Sequence, residues 1–158
     1  MLVEIIVWIL YIAVALFLFW LGYRQIKNMG HSAKNKTAPR LPEKPLKTHK
    51  RQDGLQSDIF QEGSGPGAKN KDMLTVHYSA FLTSGEKVDS SYDRGRSLTF
   101  KLGSGKVIFG WDEALVGAKV GERRKITVPP EYAYGKKGTE KVPPNATVIF
   151  EVEVLQID

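Results

Sequence analysis

Few groups in this chain could do chemistry, and the ones missing narrow the choice. None of the 158 residues is a cysteine, and the three histidines are His31, His49 and His77. That sets aside disulfides, thiol catalysis, thiolate or histidine metal clusters and a Ser-His-Asp triad. The stretch that stands out is Lys106-Val107-Ile108-Phe109-Gly110-Trp111-Asp112-Glu113-Ala114-Leu115. A β-branched, aromatic run ends at a glycine that breaks the strand pattern, and the two acids after the tryptophan suit a helix's positive end, so a short helix is predicted to start near Trp111. The first turn of a helix has N–H groups with no partner inside it, and a ligand carbonyl can take one; the indole beside it offers a flat apolar face. The stretch therefore predicts a small apolar pocket with a tryptophan floor and a backbone donor at its rim. Its alternative is a core tryptophan at a loop-to-helix junction.

The elements that must position this pocket read as short strands. Ile59 to Glu62 is one candidate. Gly63 to Gly67, although rich in glycine, lacks the Gly-Lys-Ser/Thr ending of a phosphate loop and reads as a turn. Leu74, Val76, Tyr78 and Ala80 alternate with Thr75, His77 and Ser79, as in a half-buried strand. Thr83 to Gly85 turns that strand into a second one ending at Val88, and Leu98 to Leu102 forms another. Ile126 and Val128 alternate up to Pro129 and Pro130, and Val148, Phe150, Val152 and Val154 alternate near the C-terminus. Five to six strands and one short helix predict an α+β domain over 57–158, a twisted antiparallel sheet curled over the helix.

Six segments in order resemble the FKBP-type peptidyl-prolyl cis-trans isomerases. They are Val76-His77-Tyr78, the run Gly85 to Ser91, Val107-Ile108-Phe109-Gly110-Trp111, Val120-Gly121-Glu122, Glu131-Tyr132-Ala133-Tyr134-Gly135 and the run Val142 to Thr147. The resemblance implies a proline pocket between helix and sheet, lined by Tyr78, Val88, Phe100, Val107, Ile108, Trp111, Tyr134 and Phe150, with Asp89 at the rim. Trp111 would lie under the prolyl ring, and the Ile108 N–H and the Tyr134 hydroxyl would each hold a substrate carbonyl. The implied partners are proline-containing peptides or unfolded segments, with macrolides as inhibitors, and no cofactor or metal is implied. The alternative function for the same pocket is a binding or chaperone module without turnover.

The missing catalytic groups suit that reading. Rotation about an X-Pro bond is slow because amide resonance must be broken. An apolar pocket that weakens this charge-separated resonance, with donors placed for the twisted carbonyl, needs neither nucleophile nor metal. The chain also departs from the family pattern. Val88 and Leu98 stand where aromatics are common, and the loop Lys136 to Lys141 is short and carries three lysines in place of an apolar tip. These changes bear on substrate preference and macrolide affinity.

The formal charge of +6 lies mainly outside this domain. Residues 23–52 hold nine Lys or Arg against Glu43 alone, whereas 53–158 hold fourteen against fifteen acids. A domain this close to neutral does not supply the basic face that nucleic-acid binding needs. Ile5 to Leu21 is seventeen apolar residues without a charge, and Gly22 and Tyr23 bring the uncharged run to nineteen, a length of about 28 Å as helix, close to the hydrocarbon thickness of a bilayer. Residues 1–23 are thus predicted to be a single transmembrane helix; a cleaved signal peptide fits less well, because no Lys or Arg precedes the run and no small-x-small site follows. Residues 24–56, with Pro39, Pro42 and Pro45 and many lysines, read as a disordered tether that either touches anionic headgroups or is a solvated spacer. Arg24, Lys27, Lys34, Lys36 and Arg40 follow the span, which by the positive-inside rule puts the domain in the cytoplasm. The family resemblance brings the alternative, an exoplasmic or periplasmic domain, since relatives with a hydrophobic N-terminus are often exported.

Overall fold

The structure is a computed structural model and describes residues 40–158. The predicted anchor, and the tether as far as residue 39, lie outside the described residues. No helix among the described residues is long and apolar enough to cross a membrane.

Among the described residues, seven strands form one antiparallel sheet: β1 (Lys47–Lys50), β2 (Gln56–Gln61), β3 (Met73–Leu82), β4 (Lys87–Ser90), β5 (Leu98–Lys101), β6 (Arg123–Val128) and β7 (Val148–Ile157). Their order is β1-β2-β6-β7-β3-β4, and β5 also pairs with β3. The α-helix, α1, is Phe109–Ala114, and a 3-10 turn covers Pro130–Tyr132. Among the described residues the antiparallel sheet and the single short helix are as expected, but the strand count is higher.

The extra strand lies where a disordered tether was expected. Lys47 pairs with Ile59 and Lys50 with Gln56, so β1 and β2 form a hairpin across Arg51 to Leu55. Its four side chains are all exposed, so no buried residue marked it as a strand. What ties the hairpin to the domain is the pairing of β2 with β6, from Gln56 to Gln61, and Leu55, 3 % exposed and part of the core. The domain's first strand pair therefore starts ten residues before Ser57. Beyond Val88, where the strand was expected to end, β4 runs on through Asp89 and Ser90, which sit in register with Ala80 and Ser79.

The core follows from the alternation. Leu74, Val76, Tyr78 and Ala80 of β3 point to the same side as Val148, Phe150, Val152 and Val154 of β7, and all are buried. On that face α1 packs through Trp111 and Leu115. The helix begins at Phe109, two residues earlier than predicted, with Ile108 as its extended N-cap residue. Gly110 is needed for close approach, since a Cβ there would lie 2.4 Å from Val128 Cγ1 on β6. The acids after Trp111 act differently from the dipole argument. Asp112 accepts from the Gly103 and Gly105 N–H groups at 2.7 and 3.0 Å, and Glu113 accepts from Arg51 at 2.9 Å. Asp112 thereby ties the loop before Lys106 to the helix that follows it, which holds Val107 and Ile108 in place between the two.

Candidate active site

Trp111 is 3 % exposed and sits among three other rings. Tyr78 and Phe150 meet it edge-on at centroid distances of 5.2 and 5.3 Å, and Phe100 leans against it at 5.7 Å. Edge-to-face contacts at these separations are favourable for aromatic quadrupoles. The indole Nε1 has no hydrogen-bond partner among the described residues, so packing fixes the ring. Above it opens a cavity of about 670 Å³, within the size range of pockets that enclose small ligands.

Eight of the nine residues predicted for the site line this one cavity: Tyr78, Val88, Asp89, Val107, Ile108, Trp111, Tyr134 and Phe150. The ninth, Phe100, does not reach the opening and backs the indole from β5. Leu98, one position from it in the alternation, lines the wall instead. At the rim the Ile108 carbonyl accepts from the Trp111 and Asp112 N–H groups at 3.0 and 3.4 Å. The Ile108 N–H itself meets no acceptor among the described residues. Tyr134, 37 % exposed, brings its hydroxyl from the segment after the 3-10 turn. Burial, and then the negative charge of Asp89, push that phenol above its usual pKa, so it stays a hydrogen-bond donor.

Arg94 is a residue of the cavity rim that sequence reasoning missed. Its Nη2 donates to the Tyr78 hydroxyl at 2.8 Å, its Nη1 pairs with Asp89, and its guanidinium lies 5.4 Å from the Tyr78 ring centroid. The Tyr78 hydroxyl in turn donates to Asp89 Oδ2 at 2.5 Å. Partial burial disfavours the Asp89 anion, but the Tyr78 hydroxyl, the Arg94 charge and the Ser90 N–H outweigh it and hold the carboxyl below the ordinary range. Nothing in the sequence singled out Arg94, because it lies in an exposed turn after β4 and the pairing depends on how that turn folds back.

The described residues contain no cluster of His, Asp and Glu suited to a metal. A second hollow of about 500 Å³ lies between the β1–β2 hairpin and the residues after α1. Several of its charges are already ion-paired, Lys47 with Glu62, Arg51 with Glu113 and Arg124 with Glu122. It contains none of the nine predicted site residues. The Trp111 cavity can thus seat a flat apolar ring on the indole and offer two rim donors to carbonyls, and it holds little else that could react.

Comparison with known proteins shows the family. The family model for "FKBP-type peptidyl-prolyl cis-trans isomerase" matches residues 65–155, more than half of the chain. The chain is 50 % identical to FK506-binding protein 1A of Neurospora crassa over 107 residues, 66 % of this chain and 89 % of that protein. It is also 50 % identical to an FK506-binding protein of Neisseria meningitidis serogroup B over 105 residues, 66 % of this chain and 96 % of that one. Among solved structures it resembles AtFKBP13, with a TM-score of 0.67 and 31 % identity over 71 % of this chain and 99 % of the other. It also resembles FkpA from Escherichia coli, with a TM-score of 0.65 and 32 % identity over 85 % of this chain and 57 % of the other.

Proposed function

Since this chain belongs to the FKBP-type peptidyl-prolyl cis-trans isomerase family, we propose that the cavity over Trp111 is where it rotates X-Pro bonds, in flexible or unfolded segments of other proteins. The observation that carries this reading is the buried indole under an apolar opening, with the Ile108 N–H and the Tyr134 hydroxyl at its rim meeting no partner among the described residues.

A peptidyl-prolyl isomerase has to lower a barrier of about 18–20 kcal/mol that arises from amide resonance. The planar amide is charge-separated, and water stabilises that form. Moving it onto the indole, between Tyr78, Phe150 and the aliphatic wall of Val88 and Val107, removes the water and weakens the resonance. As the bond twists, its carbonyl swings out of the original plane. A donor that meets it only then favours the transition state over the ground state. Tyr134 suits that role, and the Ile108 N–H suits a neighbouring carbonyl that stays put and anchors the peptide. Asp89, fixed by Tyr78 and Arg94, keeps a negative charge at the rim. Removing about 7 kcal/mol of the barrier gives roughly a 10⁵-fold acceleration.

Tyr134→Phe separates these roles. If the hydroxyl meets the twisted carbonyl, kcat falls by roughly 1–3 kcal/mol of barrier while KM changes little. An unchanged kcat would remove Tyr134 from the mechanism. The pocket is also the place where a macrolide of the kind named for the relatives would bind, with Val88, Leu98 and the short loop 136–141 giving a different wall from the usual aromatic one.

We further propose that the domain is tethered to a membrane. Support comes from the uncharged run Ile5 to Leu21, and the basic residues after it favour the cytoplasmic side. Protease added outside sealed vesicles of known orientation tests both, because the tether's lysines and arginines are ready cleavage sites. If the exoplasmic face releases an intact fragment of about a hundred residues, the cytoplasmic placement is wrong.

A further inference from the structure

The charge around the Trp111 cavity is uneven. Lys106, just before the turn into α1, and Lys141, on the loop between Tyr134 and Val142, both line the opening and are exposed. Two carboxylates line it as well, Asp89 and Glu140. The charge of Asp89 is matched by Arg94, which leaves Glu140 alone against the two ammonium groups. Among the described residues neither Lys106 nor Lys141 has a carboxylate partner, and Lys136 and Lys137 on the same loop have none either.

The rest of the wall gives neighbours of the proline little else to choose by. Val88 and Leu98 are aliphatic and modest in size, so an aromatic side chain beside the proline finds no ring to stack on there. A cleft with low-dielectric walls concentrates the field of the charges at its mouth. Two lysines against the one carboxylate of Glu140 leave a positive excess at that mouth, which attracts a carboxylate and repels an ammonium group.

On the reading of this cavity as the isomerase site, we propose that Lys106 and Lys141 select X-Pro segments that carry a carboxylate on a residue adjoining the proline. Both act on the bound peptide as specificity determinants and take no part in the rotation itself.

The experiment compares kcat/KM of the full-length protein, in a neutral detergent at low ionic strength, on two sets of tetrapeptides. In the first the residue before proline is Glu, Gln or Lys; in the second the residue after it is. In at least one set the Glu peptide should be turned over about fivefold faster than the Gln peptide and the Lys peptide slower, as two solvated pairs allow. The spread should shrink as salt is raised toward physiological strength and beyond. In the double variant Lys106→Gln, Lys141→Gln, with its thermal transition checked against the parent, the Glu and Lys peptides should converge. Equal rates for Glu, Gln and Lys in both sets would overturn the selectivity while leaving the isomerase intact. A spread that persists in the double variant would overturn the assignment to these lysines. Failure to accelerate any peptide would instead overturn the reading of the cavity on which the proposal rests.

Discussion

The Tyr78 hydroxyl donates to Asp89 Oδ2 at 2.5 Å while accepting from Arg94 Nη2 at 2.8 Å, and Arg94 also pairs with Asp89, so a phenol, a carboxylate and a guanidinium close a triangle at the mouth of the cavity. The triangle lowers the Asp89 pKa in the folded protein. A carboxyl with a depressed folded pKa contributes stability that is fully present above its unfolded value of about 3.9 and is lost as pH falls through the folded value. Direct NMR titration of the Asp89 carboxyl should therefore give a midpoint below the usual range, moving up in Arg94→Ala. Catalysis should be insensitive to this group from about pH 5 upward. A midpoint at or above the ordinary value would contradict the arrangement.

Beneath the helix, Glu122 and Arg124 are 4 % and 5 % exposed and paired. Arg124 also donates to the Ala114 carbonyl near the end of α1, and Glu122 Oε2 accepts from the Lys119 N–H at 3.3 Å. Removing one partner leaves a buried charge uncompensated. Glu122→Ala should cost about 3–5 kcal/mol in urea unfolding. Replacing both residues by apolar ones should cost clearly less than either single change; a sum of the two single costs would argue against this coupling.

Gly110 sets the distance between helix and sheet. Gly110→Ala pushes a methyl group into Val128, a fully buried side chain with nowhere to move. A loss of about 1–3 kcal/mol is expected, and because Trp111 is the next residue, proline-peptide affinity should fall with it. Gly110→Ala combined with Val128→Ala should recover part of both, measured by thermal unfolding and peptide titration. No recovery would mean that the contact is not the reason for the glycine.

The β1–β2 hairpin should matter for folding although its first strand is wholly exposed. Leu55→Ala empties a core position and should cost about 2–5 kcal/mol. A fragment of residues 57–158 should melt well below one of residues 44–158, and equal melting temperatures would show that the hairpin is dispensable.

This hairpin also marks where the sequence stopped being legible. Strands such as Leu74 to Ala80 or Val148 to Val154 bury every second side chain, and that alternation is visible in the residues. Lys47–Lys50 buries none, so its strand is made by backbone pairing with β2 and by Leu55 beyond the turn, neither of which leaves a periodic signal. The pocket divides the same way. Trp111, with its glycine and its short helix, could be found from local chemistry, and the ordered motifs pointed to the other lining residues. Arg94 and the backing position of Phe100 depend on how separate segments meet, and although the lysines of loop 136–141 were visible in the sequence, that Lys141 shares one opening with Lys106 was not. Asp112 shows a smaller version of the same limit: its type suited a helix start, but its carboxylate is used by the Gly103 and Gly105 N–H groups.

The most direct test of the account is cis-trans exchange on a neutral proline tetrapeptide, followed by exchange NMR for the full-length protein and for Trp111→Leu. The protein should bring exchange from the uncatalysed scale of tens to hundreds of seconds to well under a second at micromolar enzyme. Trp111→Leu keeps apolar volume but loses the flat floor and should be slower by roughly tenfold or more while still showing a cooperative thermal transition. Exchange at the rate of buffer alone, or a folded Trp111→Leu as fast as the parent, would contradict catalysis in this cavity.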